Sequence, residues 1–545
     1  MKHVQVLDCT LRDGGYLVET IFGDKVIRGM IDKLCKAEVD AIEVGFLKDV
    51  EHKEGSSTFK TVEQIAPYLP EKRNGKTSFI AMIDYGRYSI ENLSDYDGSS
   101  VDTIRDCYFK KDMKEAIKFG KQIMDKGYKL YVQPVDILGY SDKELLELIE
   151  EVNKLKPYAF SMVDTFGSMY IDDLQRIFHI VDHNLDKDIK IGFHSHNNLQ
   201  MSFALSQEFI KMSLGKRKVV VDGTIHGMGR GAGNTNTELL LDYLNRKLGY
   251  SYDMNEILDL IDAYMPKIKQ QSNWGYSIPY FIAGMYSSHV HNVNYLLNKH
   301  NIKSKDMRLI IEEINPVKRK RYDYDNLENL YLNYFDHKID DSQTLEKLEN
   351  ILDDKKVLVI APGKTTETQK SDINKFIDEN NPVTISVNHI NTSFDCEYSF
   401  FSSKKRYEDS IYYYGNKFDE INKILTSNIK VEQGSKENIV NFKSIAKSGW
   451  KFFDNSTILL LRLLNKLNVK DIYIAGFDGY LTGQNYSTEH EELETYEESE
   501  RYQELNREVR EMLEDFKNHI SSNVNVNFIT RSKFENVFEK ELTYK

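Results

Sequence analysis

The chain has 545 residues, 40% of them hydrophobic and 29% charged, with a formal net charge of −13 and a mean hydropathy of −0.52. That length exceeds what one core usually spans, so two or three domains are expected. The negative balance argues against general nucleic-acid binding, which favours basic surfaces. No apolar run reaches the roughly 18 residues of a membrane span, and MKHVQVLDC enters a strand pattern without a leader signature. Cys9, Cys35, Cys107 and Cys396 lack CxxC spacing, which reads as reduced thiols in a cytoplasmic protein rather than a disulfide or zinc framework.

Residues 1–250 alternate two patterns. Short apolar or β-branched runs occur at 4–9, 39–46, 77–83, 101–106, 128–135, 158–164, 189–195 and 218–224. Between most of them lie stretches such as DKVIRGMIDKLCKAE and DKELLELIEEVNKL, whose apolar residues recur three and four apart, as in an amphipathic helix. Eight such repeats in about 250 residues predict a (β/α)8 TIM barrel. An open doubly wound sheet is the rival, and the lack of a glycine-rich phosphate loop after the first strand favours the barrel. Residues 251–350 read as a helical, aromatic extension with a polar connector near 336–354. A second α/β pattern, Rossmann-like, is expected over 351–545, with strands in 355–369, 381–388, 395–403 and 469–480 and a long helical stretch before the last. The tail EHEELETYEESERYQELNREVREMLEDF reads as an acidic helix with a solvated face.

Barrel chemistry sits at the carboxyl ends of the strands. The polar residues there are Arg12 and Asp13 in LDCTLRDGGYL, then Glu43, Gln133, Asp136, Asp164, Thr165, His194, His196 and Asp222. Residues i and i+2 of a strand share a face, so FHSHNN can present His194 and His196 to one ion. Asp13 can complete a two-histidine, one-carboxylate set, and Asn234 in GMGRGAGNTNTE can add an amide oxygen. Blander readings stand beside these. One imidazole can serve a core hydrogen bond, Asp13 a helix cap, and Glu43 the turn.

DCTLRDGGY, IEVGF, GFHSHNN and GMGRGAGNTNTE, in this order over residues 1–250, resemble the metal-dependent aldolase and acyl-condensing barrels. That superfamily includes 4-hydroxy-2-oxovalerate aldolase, hydroxymethylglutaryl-CoA lyase and 2-isopropylmalate synthase, and the aldolase branch is the nearest. The resemblance implies that Asp13, His194, His196 and Asn234 hold a divalent ion, Mn2+ or Mg2+, and that Arg12 stabilises an enolate. The chemistry agrees, since a cation and a guanidinium placed together favour developing enolate charge. Gly14, Gln133 and Thr165 are then expected to meet substrate, and Glu43 to be catalytic.

Three departures from the family bear on mechanism. The aldolase branch carries a base histidine shortly after the Arg-Asp pair, where this chain has Gly14-Gly15-Tyr16. Tyr16 is the candidate for proton transfer, although a phenol of pKa about 10 is a poor base at neutral pH, and packing at the barrel mouth is its alternative. The lyase branch's loop cysteine and the carboxylating branch's strand lysine have no counterpart here. Further on, WGYSIPYFIAG and HVHNVNY resemble the segment following the aldolase barrel, and His289 and His291 read as core or surface histidines.

In the C-terminal region the strand ends nominate Gly363, Lys364, Thr365, Asn388, Ser402, Ser403 and Asp478. APGKTT lacks the Walker spacing. The order of the pieces is similar to a Rossmann-like family that includes pterin pyrophosphokinase-like proteins and bacterial sialyltransferases. That likeness implies a nucleotide or nucleotide-sugar ligand at Gly363, Asn388, Ser402 and Asp478, with a purely structural domain as the alternative. The expected protein is a metal-dependent aldolase joining a 2-oxo acid such as pyruvate to an aldehyde, in modified-sugar or surface-polysaccharide synthesis. It needs no nucleic acid and no membrane, and a homo-oligomer is compatible with it. Its rivals are an acyl-CoA Claisen-condensing enzyme and an inactive barrel that serves the C-terminal domain as scaffold or sensor.

Overall fold

Val4–Asp8 forms β1, and Ala41–Leu47 forms β2. Ser78–Asp84, Thr103–Tyr108 and Lys129–Pro134 follow as β3, β4 and β5, then Ala159–Asp164, Lys190–Ser195 and Val219–Gly223 as β6, β7 and β8. Each falls within or a few residues from a run read from the sequence. All eight are parallel, and β1 pairs with both β2 (Leu7 opposite Ala41) and β8 (Val4 opposite Val219), which closes the sheet into a barrel. The computed structural model describes residues 3–73, 75–297, 302–335, 339–429, 437–481, 485–488 and 499–538.

The helices form where the periodicity places them. Asp24–Lys36 (α1) buries Ile27, Met30, Ile31 and Leu34. Asp142–Leu155 starts from a Ser141–Glu144 capping box and buries Leu145, Leu148, Ile149 and Val152, one stripe at i, i+3, i+4 and i+7. After β2 and β3 the chain makes short 3-10 turns instead, at Val62–Gln64, Ala66–Tyr68 and Ile90–Asn92. Pro67 and Pro70 interrupt the first connection, and the second, YGRYSIENLSDYDGSS, lacks a 3.6-residue apolar period.

Inside the barrel, Leu7, Ala41, Ile80, Tyr131, Ala159 and Val220 form an apolar layer. The side-chain period of two carries the same inward face up to Glu43, Gln133 and Asp222. β2 shifts register between Glu43 and Phe46, around Gly45 at φ +150°, where a Cβ would lie 1.9 Å from the Ser57 carbonyl oxygen. Only glycine fits both constraints.

The chain divides into two compact units, Met1–Val293 with Ile314–Tyr322 and Asn294–Glu313 with Asp323–Lys545. The first holds the barrel, the helix Met254–Gln271 and the short helix Ile278–Met285. In the expected connector, Ser342–Leu352 is helical, while residues 336–338 lie outside the described residues. The second unit contains a parallel seven-stranded sheet. Its strands are Lys356–Ile360 (β9), Val383–Val387 (β10), Tyr398–Phe401 (β11), Lys423–Thr426 (β12), Asn438–Val440 (β13), Asp471–Ala475 (β14) and Asn525–Phe528 (β15), in the spatial order β13-β12-β11-β10-β9-β14-β15. The long helical stretch expected before residue 469 contains β12 and β13 as well as helices. Strands of three or four residues are too short to show a period. Ser499–His519 is helical but not simply solvated, because Leu505, Val509, Met512, Leu513 and Phe516 are buried. The tail residues 489–498 lie outside the described residues. Among the described residues no helix is long and apolar enough to cross a membrane.

Gly249 also has positive φ (+71°), yet a Cβ there meets nothing within 4 Å. Gly249→Ala should therefore cost only about 1–2 kcal/mol of backbone strain. Gly45→Ala should cost several times more, read as the difference in Tm between the two variants.

Candidate metal centre

Four sequence-nominated ligands converge at the carboxyl ends of β1, β7 and β8. The Asp13 Oδ2 atom lies 3.4 Å from His194 Nε2 and 3.8 Å from His196 Nε2, and the two imidazole centroids are 5.1 Å apart. Asn234 bridges His196 through the backbone, and its Nδ2 donates to the Met228 carbonyl at 3.2 Å. That leaves Asn234 Oδ1 and Asp13 Oδ1 buried with no hydrogen-bond partner. Two orphaned oxygens beside two imidazoles fit a hard or borderline divalent cation, because a buried acceptor left unmatched is costly. Cys9, His194 and Asp222 form a second cluster of ligand type. It fits less well, because burial pushes the Cys9 thiol far up and Asp222 is engaged by Arg105.

Beneath the ligands runs a closed circuit of buried charge. Arg12 donates to Asp13 at 2.5 Å and to Glu43 at 2.7 Å. Arg105 lies 3.5 Å from Glu43 and 2.6 Å from Asp222, and Asp222 meets His194 Nδ1 at 3.0 Å, which leaves Nε2 of His194 toward Asp13. A carboxylate on the far nitrogen orients a metal-binding imidazole. Three carboxylates and two guanidiniums leave the circuit at −1 with neutral imidazoles, so a divalent cation brings it to +1. Arg12 Nη2 has no hydrogen-bond partner and is a donor left over for a bound anion.

Burial opposes ionisation of Asp13, but Arg12 and the two imidazoles outweigh it and hold the carboxyl well below the usual range. His194 is moved the other way: burial lowers it, while Asp13 and Asp222 together raise it above an ordinary imidazole. His196 is pushed down to about 3, mainly by burial. Burial pushes the Tyr16 phenol up to about 12, so it stays protonated at neutral pH. The Tyr16 ring packs edge-on to Phe46 at 5.5 Å, with the Arg230 guanidinium 4.0 Å from its centroid.

The remaining nominated residues occupy varied positions. Gly14 packs on Met228, where a Cβ would sit 2.8 Å from the sulfur. Gln133 is buried and accepts from Arg105 Nε at 2.6 Å. The Thr165 hydroxyl accepts from Asp136 N–H at 2.8 Å, and Asp136 pairs with Lys320 at 2.5 Å. Asp164 accepts from the Ser168 N–H (2.9 Å) and the Ser195 hydroxyl (3.2 Å), and burial raises it to about 6. His289 is half-buried and pushed down to about 3, first by burial and then by Arg230, His291 and His196. Its Nδ1 accepts from His291 N–H at 3.2 Å. In the second unit, Gly363 N–H donates to the Gly476 carbonyl at 2.9 Å. Asn388 Oδ1 accepts from the Ser402 and Ser403 amides at 3.0 and 3.2 Å, and Asp478 accepts from Thr365 N–H at 2.8 Å. Sequence reasoning missed Arg105 and Arg230. An arginine inside the otherwise strand-like run VDTIRD was the available signal for the first.

Residues 3–263 match the family model described as HMGL-like, so the barrel is an HMGL-like domain. The oxaloacetate decarboxylase of Mycobacterium tuberculosis is 26% identical over 258 residues, 47% of this chain and 74% of that protein. The 4-hydroxy-2-oxovalerate aldolase of Moorella thermoacetica is 24% identical over 318 residues, 56% of this chain and 90% of that protein. The solved HMG-CoA lyase of Bacillus subtilis is 16% identical, covering 49% of this chain and 93% of that one at a TM-score of 0.41.

Asp13→Asn and His196→Ala should each abolish tight Mn2+ binding, whereas Asp222→Asn should weaken it roughly 10–100-fold by releasing His194. Because His194 is raised and His196 depressed, Mn2+ uptake at about pH 6 should release one proton and not two. Affinity should fall as pH drops through the raised His194 value, since the proton and the cation compete for Nε2. Calorimetry in buffers of different ionisation enthalpy counts the released protons.

Proposed function

We propose that the barrel is a divalent-metal-dependent carbon–carbon lyase that acts on 2-oxo acids through a pyruvate-type enolate, with Mn2+ or Mg2+ as the cation and an aldehyde as the second reactant. The unpartnered Arg12 Nη2, fixed by Asp13 and Glu43 beside the ligand cluster, carries this reading. A cation held by Asp13, His194, His196 and Asn234 supplies Lewis acidity toward the oxygens of the 2-oxo acid. The residues of the chain do the rest. Arg12 meets the oxygen on which negative charge develops, Glu43 and Asp13 keep its guanidinium from swinging away, and the neutral Tyr16 phenol can donate a proton. With a divalent cation the charge circuit stands at +1, and a monoanionic 2-oxo acid neutralises it.

A specific observation favours a second reading, decarboxylation of a 2-oxo diacid. Aldol cleavage of a 4-hydroxy-2-oxo acid needs a base to take the hydroxyl proton as the C3–C4 bond breaks. Loss of CO2 breaks the corresponding bond and leaves the same enolate with no such proton to remove. Here the family's base position is Gly14-Gly15-Tyr16, and the phenol is already protonated at neutral pH. For the C-terminal unit we propose nucleotide or nucleotide-sugar binding, supported by its parallel sheet and the polar strand ends. Together the two activities suit modified-sugar synthesis.

Wild-type protein with Mg2+ should exchange the methyl protons of pyruvate for deuterium, and chelation should stop the exchange. Arg12→Ala should keep its cation yet exchange about 10²–10³-fold more slowly. Proton NMR in deuterated water measures both. Absence of exchange with the cation bound would overturn the pyruvate-type enolate. In exchange-competent protein, oxaloacetate turnover without any aldehyde requirement would favour the second reading over the first.

A further inference from the structure

At the carboxyl edge of the second unit's sheet, β9 pairs with β10 on one side and β14 on the other. Successive crossovers therefore leave this edge in opposite directions and open a crevice there, the usual ligand position of such sheets. The crevice is a cavity of about 280 Å³. Asn388, Gly363 and Asp478 lie on its wall, but their polar groups are spent on the fold itself, as described above.

The uncommitted polarity lies on a different element. The helix Ser456–Lys466 begins at the cavity, and its N-cap Asn455 accepts from Ile458 N–H at 3.2 Å. The cap leaves the Ser456 and Thr457 amides without an intrahelical acceptor. Because Asn388 Oδ1 is taken by the two backbone amides, its Nδ2 must face Ser456 Oγ, to which it donates. Ser402 Oγ also donates to Ser456 Oγ at 2.7 Å. With both lone pairs used, the Ser456 hydroxyl has only its proton left to give. Thr457 is 5% exposed and lines the cavity, and its hydroxyl makes no hydrogen bond to any described residue.

The electrostatics give the ligand its sign. Among the described residues that line the cavity, Lys405, Arg406 and Arg501 stand against one carboxylate, Asp478, with Arg406 also 3.8 Å from Asp409, in a chain of net charge −13. Asp478 is held by Thr365, so an anion is repelled from that wall and drawn to the Ser456–Thr457 side. Beside Arg501, the rings of Tyr480 and Tyr502 are nearly parallel, with centroids 6.3 Å apart, and Leu505 adds apolar wall.

We propose that this cavity holds the phosphates of a nucleotide or nucleotide-sugar on the amides and hydroxyls of Ser456 and Thr457, with Arg501 as counter-charge and the tyrosine pair against the base. The inference rests on the nucleotide reading of this unit and moves the contact residues away from the glycine turn. Donors at a helix start combined with a guanidinium suit a phosphate.

Calorimetry on the full chain tests it with UDP, CDP, GDP and ADP, their nucleosides, and inorganic pyrophosphate. At least one diphosphate should bind more tightly than its nucleoside. Thr457→Val and Arg501→Gln should each weaken that diphosphate about tenfold or more and leave the nucleoside unchanged, and Thr457→Ser should restore binding. The two variants lie on different helices, and a melting curve identifies either one that fails to fold, so the other still decides. Diphosphate binding that is indifferent to the folded variant overturns the phosphate subsite while sparing the nucleotide reading. Failure of every nucleotide and of pyrophosphate to bind wild-type protein overturns both.

Discussion

The barrel depends on one constraint, the mutual compensation of charges that are almost wholly buried. Arg12, Asp13, Glu43, Arg105, Asp222 and His194 are all at most 4% exposed, and each meets its neighbours in the circuit within 3.5 Å. Removing one member of a buried pair costs about 3–5 kcal/mol, far more than an intact pair contributes. The circuit therefore contributes little net stability and a great deal of specificity. It forces five strands to arrive in one register, because a slip by a single residue would turn Glu43, Arg105 or Asp222 out of the barrel and expose a charge to the apolar helix layer.

Much of the remaining architecture serves that register. The apolar layer of Leu7, Ala41, Ile80, Tyr131, Ala159 and Val220 fills the lower barrel, so charged side chains two residues further on have a floor to stand on. The break in pairing at Gly45 lets β2 deliver Glu43 inward and then change course. On the opposite side, Asn198 Oδ1 accepts from Ala232 N–H at 3.0 Å and its Nδ2 donates to the Phe166 carbonyl at 2.9 Å. One buried amide thus ties three strand-end loops around the ligand cluster.

What was legible in the sequence follows from the range of the signals. The eight strands and the flanking helices announced themselves through local periods of two and 3.6, and His194 and His196 through a spacing of two on a strand. Arg105 was hidden because its partners Glu43 and Asp222 are 62 and 117 residues away along the chain, and no local pattern separates a buried arginine from a solvated one. After β2 and β3, where short 3-10 turns stand in place of a helix, prolines and polar turns break the 3.6-residue period. β12, β13 and β15 were too short to register. In the second unit the strand ends were found, yet polar residues at strand ends proved to be cross-bracing. Asn388 links two strand ends to a helix start, and Asp478 closes the turn at Thr365. Whether a polar group is spent or spare depends on its partners, and these are distant in sequence.

The same accounting of spent and spare groups bears on the chemistry of the barrel. Asp13 and Glu43 each commit one oxygen to Arg12 and leave the other without a hydrogen-bond partner, Asp222 is committed to His194 and Arg105, and Asp164 to its own loop. The His289 ring nitrogen that could accept a proton already accepts an amide. Tyr16 holds its proton because burial penalises the phenolate more than Arg230 relieves it. Besides the candidate ligand oxygens of Asp13 and Asn234, the side chains around the ligand cluster thus offer several donors and one spare carboxylate oxygen, Glu43 Oε1. An environment of that kind suits the accumulation of negative charge on a substrate oxygen and its later quenching at carbon. For removing a proton from a hydroxyl it has the single spare oxygen of Glu43, already fixed in the charge circuit, and this asymmetry favours a reaction whose carbon–carbon bond breaks without one.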